Sequence, residues 1–324
     1  MFPKRLNKTM FKESNEPKII FNNQAELEKL EGVLNVQKIE LDSEYFDWAK
    51  KNLDPKEFEK IKTNHESLEI FKFSYISEGL TIGAYMWIPK NVNQKLPLTI
   101  WNRGGTKKDG SNGNEQGKRG PLYSSFPCEL AKLGSVVVGS EYRGGIDSEG
   151  ADEWGGRDVD DVVRLHDIIK KSPTVISEKS VVVGWSRGGM MSYLLASKEP
   201  WVKAVVSLAG GADLEMAAAE RPEMKEVFEE CFGGSLEEMK KRSATHFYPK
   251  IPNETPILII QGFKDKRVSV EEVRKLVTLL KESKHNVEYH EFSNEGHYFH
   301  ISGEEQGDEA LKIIEKFMKA QLSK

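Results

Sequence analysis

The stretch Val181-Val182-Val183-Gly184-Trp185-Ser186-Arg187-Gly188-Gly189-Met190 constrains the fold more than any other part of the chain. Three β-branched residues in a row favour an extended backbone and predict a strand. The Gly-x-Ser-x-Gly pattern then forces a sharp turn, and Met190, Met191, Tyr193, Leu194 and Leu195 follow with helical spacing. Strand, turn and helix in that order place Ser186 at the tip of a strained elbow with its hydroxyl exposed. Gly184 and Gly188 lack side chains where strand and helix must approach closely. The Arg187 backbone N–H, at the helix start, faces negative charge developing beside Ser186. Three fixed positions in five recur by chance; the flanking strand and helix make the pattern specific.

A serine hydroxyl is a poor nucleophile near neutral pH unless a base lies within hydrogen-bond reach and a third group orients that base. After an elbow of this kind the partners come in the order Ser, Asp or Glu, His, each on a loop that follows a strand. Asp265 follows the apolar run Ile257-Leu258-Ile259-Ile260, and His297 follows the strand pattern 286–292, so both satisfy the order. Among rival bases, His290 lies inside a strand and His285 at a helix end, which leaves His300, just past the loop. Asp213 and Glu295 are rival acids, the first read as a helix cap and the second as a solvated loop residue. A second donor for an oxyanion is expected from the loop after the third strand, at Gly104 or Gly105. Arg103 either anchors that loop or binds a substrate oxygen.

Around this centre the pattern is of strands alternating with helices, which predicts a mainly parallel sheet with helices on both faces. Alternation begins at Leu68, with 69–76 and 80–88 as a hairpin joined by Ser77-Glu78-Gly79. Residues 1–67 form a helical N-terminal extension, with Asp54-Pro55-Lys56-Glu57 as a helix start. The aromatics Tyr45, Phe46 and Trp48 are expected to dock it onto the main domain, 68–324. Residues 213–252 break the alternation with charged helical sequence and are read as a small lid. The glycine- and lysine-bearing loop up to Gly120 lacks the spacing of a phosphate cradle. Asp158, Asp160 and Asp161 open a helix and suit its dipole, so they are not read as a metal site.

Composition narrows the partners. A net charge of -4 over 324 residues and a pI near 6.1 give no reason to expect nucleic acid. No apolar run approaches membrane-spanning length, and the N-terminus has no secretory h-region. Cys128 and Cys231 fit a reducing compartment, and the expected location is cytoplasmic.

From about residue 68 onward the chain resembles the catalytic domain of the prolyl oligopeptidase family. The resemblance rests on Tyr142-Arg143-Gly144-Gly145, the Trp154-Gly155-Gly156 to Asp161 stretch, Gly184 to Gly189, Gln261-Gly262 to Asp265 with Arg267-Val268, and Glu295-Gly296-His297. It implies an α/β-hydrolase fold, a Ser186-Asp265-His297 triad, and hydrolysis of peptide or ester bonds without cofactor. Arg187, Gly105 and Gly104 become the oxyanion candidates, and Arg103 and Tyr142 the substrate-binding candidates. Two departures stand out. The oxyanion loop reads Arg103-Gly104-Gly105-Thr106, where family members often carry His-Gly-Gly-Pro or a tyrosine-bearing turn. The extension has room for little more than one propeller blade of about 40–50 residues. The expected substrate is a small molecule or short peptide, cleaved at a peptide or aminoacyl amide bond. A carboxylesterase with the same triad and a catalytically silent binding protein of this fold are the alternatives. The sequence does not reveal the oligomeric state.

Overall fold

The computed structural model describes residues 22–105, 119–298 and 305–322. Thr106, the glycine- and lysine-bearing loop as far as Lys118, and His300 lie outside them. The chain begins with α1 (Asn23–Glu28), β1 (Val33–Lys38), α2 (Ser43–Asn52) and α3 (Pro55–Ser67). Asp54 caps α3 through the Lys56 N–H, with Pro55 in the first turn, as its sequence predicts. The extension is not purely helical, however. β1 pairs antiparallel with β2 (Leu68–Ser77), and a register shift between Leu34 and Gln37 breaks the two-residue period that would have marked it as a strand. Its neighbours Leu41 and Ile61 are buried in the common core, so the extension is continuous with the sheet.

β2 and β3 (Leu80–Pro89) form the expected hairpin, closed by Glu78 at φ 48° and Gly79 at φ 81°. Both turn residues have positive φ, as a two-residue hairpin turn requires. Next come β4 (Leu96–Asn102), α4 (Arg119–Ser124), α5 (Phe126–Lys132), β5 (Val136–Ser140), α6 (Asp158–Ile169), β6 (Val175–Trp185), α7 (Arg187–Lys198) and β7 (Val202–Leu208). Four short helices fill the segment read as a lid: α8 (Leu214–Glu220), α9 (Glu223–Phe232), α10 (Leu236–Arg242) and α11 (Ala244–Phe247). β8 (Ile257–Gly262), α12 (Val270–Glu282), β9 (Val287–Phe292) and α13 (Glu305–Leu322) complete the chain.

The strands form one sheet in the order β1-β2-β3-β5-β4-β6-β7-β8-β9. The pairings from β5 to β9 are parallel, and those among β1, β2, β3 and β5 are antiparallel. Val182 packs on one face with α6, α7 and α12, while Val181 and Val183 pack on the other with α5 and α13. Burial of both faces explains why β6 reads as a continuous apolar run and not as an alternation. The loops after β4, β6, β8 and β9 all leave the carboxyl ends of parallel strands, where open α/β sheets bind ligands.

Candidate active site

Ser186 joins β6 to α7 with φ 58° and ψ -123°, a conformation that a residue with a side chain adopts only when its surroundings hold it there. Three backbone hydrogen bonds do so: Ser186 N–H donates to Leu208 O at 2.9 Å, and Ser186 O accepts from Gly189 N–H at 2.9 Å and Gly211 N–H at 3.1 Å. A Cβ at position 188 would lie 1.8 Å from Asn102 O, and one at 184 would lie 2.0 Å from Gly188 O. Both obstacles are backbone, so only glycine fits there.

Asp265 lies in the loop after β8, and both of its carboxylate oxygens are engaged. Oδ1 accepts from the Arg267 and Val268 N–H groups at 2.7 and 3.0 Å, and Oδ2 accepts from Gln261 Nε2 at 3.2 Å. Oδ2 also lies 2.8 Å from His297 Nδ1. Facing a carboxylate, Nδ1 carries the proton and Nε2 is left as the acceptor. His297 and Ser186 line the same cavity. Trp185 Nε1 donates to His297 O at 3.0 Å, which ties the histidine loop to the elbow.

The rival residues are placed otherwise. His285 is bonded to Ile251 O and Ser283 Oγ, and His290 to Glu288. Asp213 caps α8 and pairs with Lys275. Glu295 corrects the sequence reading: it is buried, with 9% exposure, because its loop packs beneath Lys264, whose N–H bonds to Glu295 O.

The Arg103-Gly104-Gly105 loop passes beside the elbow. A Cβ at Gly104 would sit 3.1 Å from Ser186 Cβ, and Gly105 lines the cavity. As the first residue of α7, Arg187 has no carbonyl one turn back to accept its N–H. The Arg103 guanidinium donates to Gly104 O, Gly105 O and Glu141 O, at 3.1, 3.3 and 2.6 Å. Its Nε lies 2.9 Å from Glu141 Oε2 in an ionic contact too far off line to be a hydrogen bond. These contacts support the anchoring alternative for Arg103. Tyr142 is absent from the cavity lining: it is 1% exposed, its hydroxyl donates to Arg103 O at 3.2 Å, and its ring centroid lies 4.8 Å from the Arg103 guanidinium and 5.1 Å from that of Arg187.

The Arg187 side chain was not foreseen as a participant. Its guanidinium donates to Gly105 O at 3.3 Å and Asp152 at 2.6 Å, pairs with Asp158, and lies over the Trp154 ring. Asp158 and Asp161 lie in the first turn of α6 as expected, but they are also fully buried ion-pair partners, Asp161 taking Arg143 at 2.8 Å. Buried carboxylates require such partners. Only contacts between residues distant in sequence reveal them, although arginine directly after the serine was a signal.

The cavity measures about 90 Å³. The helical segment 213–252 supplies part of its wall through Leu214 and Ala217 of α8 and Met224 and Phe228 of α9. Glu272 of α12 also lines it, although nothing in the sequence had singled this residue out.

A family model described as the prolyl oligopeptidase family matches residues 124–324, more than half of the chain. The uncharacterized peptidase YtmA of Bacillus subtilis is 27% identical over 235 residues, covering 71% of this chain and 86% of that protein. The acylaminoacyl peptidase of Pyrococcus horikoshii has a similar fold, with a TM-score of 0.67 and 19% identity, over 86% of this chain and 44% of that one. The Pyrococcus furiosus esterase Pf2001 gives a TM-score of 0.60 and 19% identity, over 84% of this chain and 95% of that one. The chain therefore spans less than half of the acylaminoacyl peptidase and nearly all of the esterase. Among the described residues, no helix is long and apolar enough to cross a membrane.

Proposed function

Because the chain belongs to the prolyl oligopeptidase family and is a serine hydrolase, we propose that Ser186 is its nucleophile, His297 the general base and Asp265 the group that orients the base. The observation that carries this reading is a strained serine sharing a cavity with a histidine whose Nδ1 is bonded to a saturated carboxylate. Ser186 Oγ attacks the substrate carbonyl carbon while His297 Nε2 takes its proton, a step worth about 10²–10⁴-fold in rate. The carbonyl electrons move onto oxygen, which the Arg187 N–H and a Gly104 or Gly105 N–H receive. Collapse expels the leaving amine or alcohol with the proton from His297 and leaves an acyl-enzyme. Water then repeats the sequence and frees the acid. Asp265 stabilises the imidazolium throughout. Neither cofactor nor metal is required.

The preferred substrate is a short peptide or aminoacyl amide, with the segment 213–252 acting as the lid that limits its size. Carboxylester hydrolysis is the second reading, favoured by the near full-length match to an esterase. Two unpaired cysteines support a cytoplasmic location. Labelling with a fluorophosphonate, followed by peptide mapping, tests the core of the proposal. An adduct on Ser186, absent in Ser186→Ala, is expected, whereas folded protein that takes no label would favour the silent binding protein. A panel of aminoacyl amides and acyl esters then separates peptidase from esterase.

A further inference from the structure

The cavity that Ser186 and His297 share carries an excess of positive charge, although the chain as a whole has a net charge of -4. Its lining includes three arginines, Arg187, Arg221 and Arg267, and one carboxyl, Glu272. Arg187 is neutralised by Asp152 and Asp158. Glu272 is 1% exposed, and burial pushes its carboxyl up to about 8, so it is largely protonated at neutral pH. The charge that a substrate meets therefore sits on Arg221 and Arg267.

Arg267 is exposed, and among the described residues its guanidinium has no carboxylate partner. It lies 5.6 Å over the Tyr298 ring, a contact that draws on its charge and leaves its N–H donors available. Its backbone is fixed on both sides: the N–H donates to Asp265 Oδ1 at 2.7 Å, and the carbonyl accepts from Arg221 Nη1 at 3.0 Å. The first bond ties Arg267 to the carboxylate that orients His297. The second holds Arg221, at the corner between α8 and α9, against the same loop. Arg221 gives Nε to Glu223, whose side chain is 63% exposed, so solvent weakens that pair. Glu220, the other acid at this corner, accepts from Ser269 Oγ at 3.3 Å. A surface arginine needs no partner but water. One that lines a reaction cavity and is anchored to the triad's own carboxylate is placed to meet the substrate.

We propose that Arg267, in the field of Arg221, binds a carboxylate of the substrate, so that anionic substrates are selected over their neutral isosteres. The planar fork of guanidinium N–H donors matches a carboxylate, and charge-assisted hydrogen bonds of this kind are roughly twice as strong as neutral ones. The inference rests on the hydrolase reading above and narrows the substrate of the same site. The carboxylate belongs either to the acyl part or to the leaving group, and the two arms of the test distinguish these sources.

The experiment measures kcat/KM for two pairs of esters, with Ser186 titrated by fluorophosphonate in parallel. In the first pair the acyl part ends in a carboxylate or a carboxamide, as N-succinyl-alanyl and N-succinamoyl-alanyl methyl esters. In the second the leaving group does, as alanyl esters of glycolic acid and of glycolamide. Wild-type protein is expected to favour the carboxylate by about tenfold or more in one pair. That preference should shrink as salt is raised. Arg267→Gln retains the backbone N–H that serves Asp265, and the ratio within the pair should fall towards unity. Arg267→Lys keeps the charge without the fork and should retain part of the ratio. Equal kcat/KM within both pairs, absence of turnover included, overturns the inference, as does a preference that survives Arg267→Gln. If Ser186 is labelled while the preference is absent, this inference alone fails. If folded protein is not labelled, the hydrolase reading fails and this one falls with it.

Discussion

Two buried arginines, 44 residues apart in the numbering, use the same chemistry for different ends. Arg143 is 2% exposed, holds Asp161 through Nε and Nη2, and reaches Glu78 at the hairpin turn. Arg187 is 3% exposed, holds Asp152 and Asp158, and spends a third contact on Gly105 O. Asp158 and Asp161 are both in the first turn of α6, so one helix start serves both clamps. The first clamp joins α6 to the hairpin turn at Glu78. The second joins α6 to the serine elbow and to the loop offering the other oxyanion donor. An ion pair stabilises a fold wherever it is well made; it bears on chemistry only when one of its hydrogen bonds ends on the reacting framework.

Breaking the first clamp should have the largest effect. Arg143→Ala leaves Asp161 buried without its cation, a change that costs about 3–5 kcal/mol. Thermal unfolding should show a large drop in Tm, while turnover per fluorophosphonate-titrated site at low temperature stays near wild type. A matching loss of turnover in the titrated, folded fraction would erase the distinction between the clamps. The second clamp is best tested at its edge. Asp152→Asn keeps the shape but removes one charge from Arg187, which loosens the hold on Gly105. A kcat roughly tenfold lower with little change in KM is expected, since small misplacements of catalytic donors are costly. A lowered Tm with unchanged kcat would assign Arg187 a structural role only.

These clamps also mark the limit of what the chain discloses on inspection. The elbow, the hairpin at Glu78-Gly79 and the succession of parallel strands were legible because each depends on local periodicity or on a turn that needs particular residues. Asp265 and His297 could be picked out because their positions after β8 and β9 follow from the order of elements. The partnership of Arg187 with Asp158 spans 29 residues and leaves no periodic trace, so an acidic triplet at a helix start looked like a dipole effect. β1 is hidden because its register shift interrupts alternation, and nothing local marks Tyr142 as the ring that two guanidiniums share.

Acid titration sharpens the comparison, because both guanidiniums are held charged by their carboxylates and burial has instead lowered another group on α6. His166 is 2% exposed and stacked on Trp201 at 3.7 Å. Burial first, and the Lys170 charge next, bring its pKa from 6.5 down to about 4. Between those values the unfolded chain binds the proton and the folded one does not, so stability is fully present above about pH 6.5 and is lost as pH falls towards 4. The slope should not exceed about 1.4 kcal/mol per pH unit. Denaturant unfolding of His166→Phe, which keeps the stack, should flatten that slope. A slope that persists would transfer the acid sensitivity to other groups, the clamp carboxylates among them.

The smallest effect is expected at the Tyr142 hydroxyl, which donates to Arg103 O. Tyr142 has φ 58°, and its ring centroid lies 4.8 Å from the Arg103 guanidinium and 5.1 Å from that of Arg187. Tyr142→Phe preserves the ring and both cation contacts, and it deletes only the 3.2 Å bond to Arg103 O. Such a bond is worth about 0.5–1.5 kcal/mol, so Tm should fall by a few degrees at most and kcat should change by less than about threefold. Tyr142→Leu removes the shared ring as well, and a larger loss of kcat than in Tyr142→Phe is expected because both guanidiniums lose their contact with it. Equal kinetics for the two variants would mean that the ring does not transmit position between the Arg103 loop and the elbow. The second clamp would then act on Gly105 through the single Arg187 hydrogen bond alone.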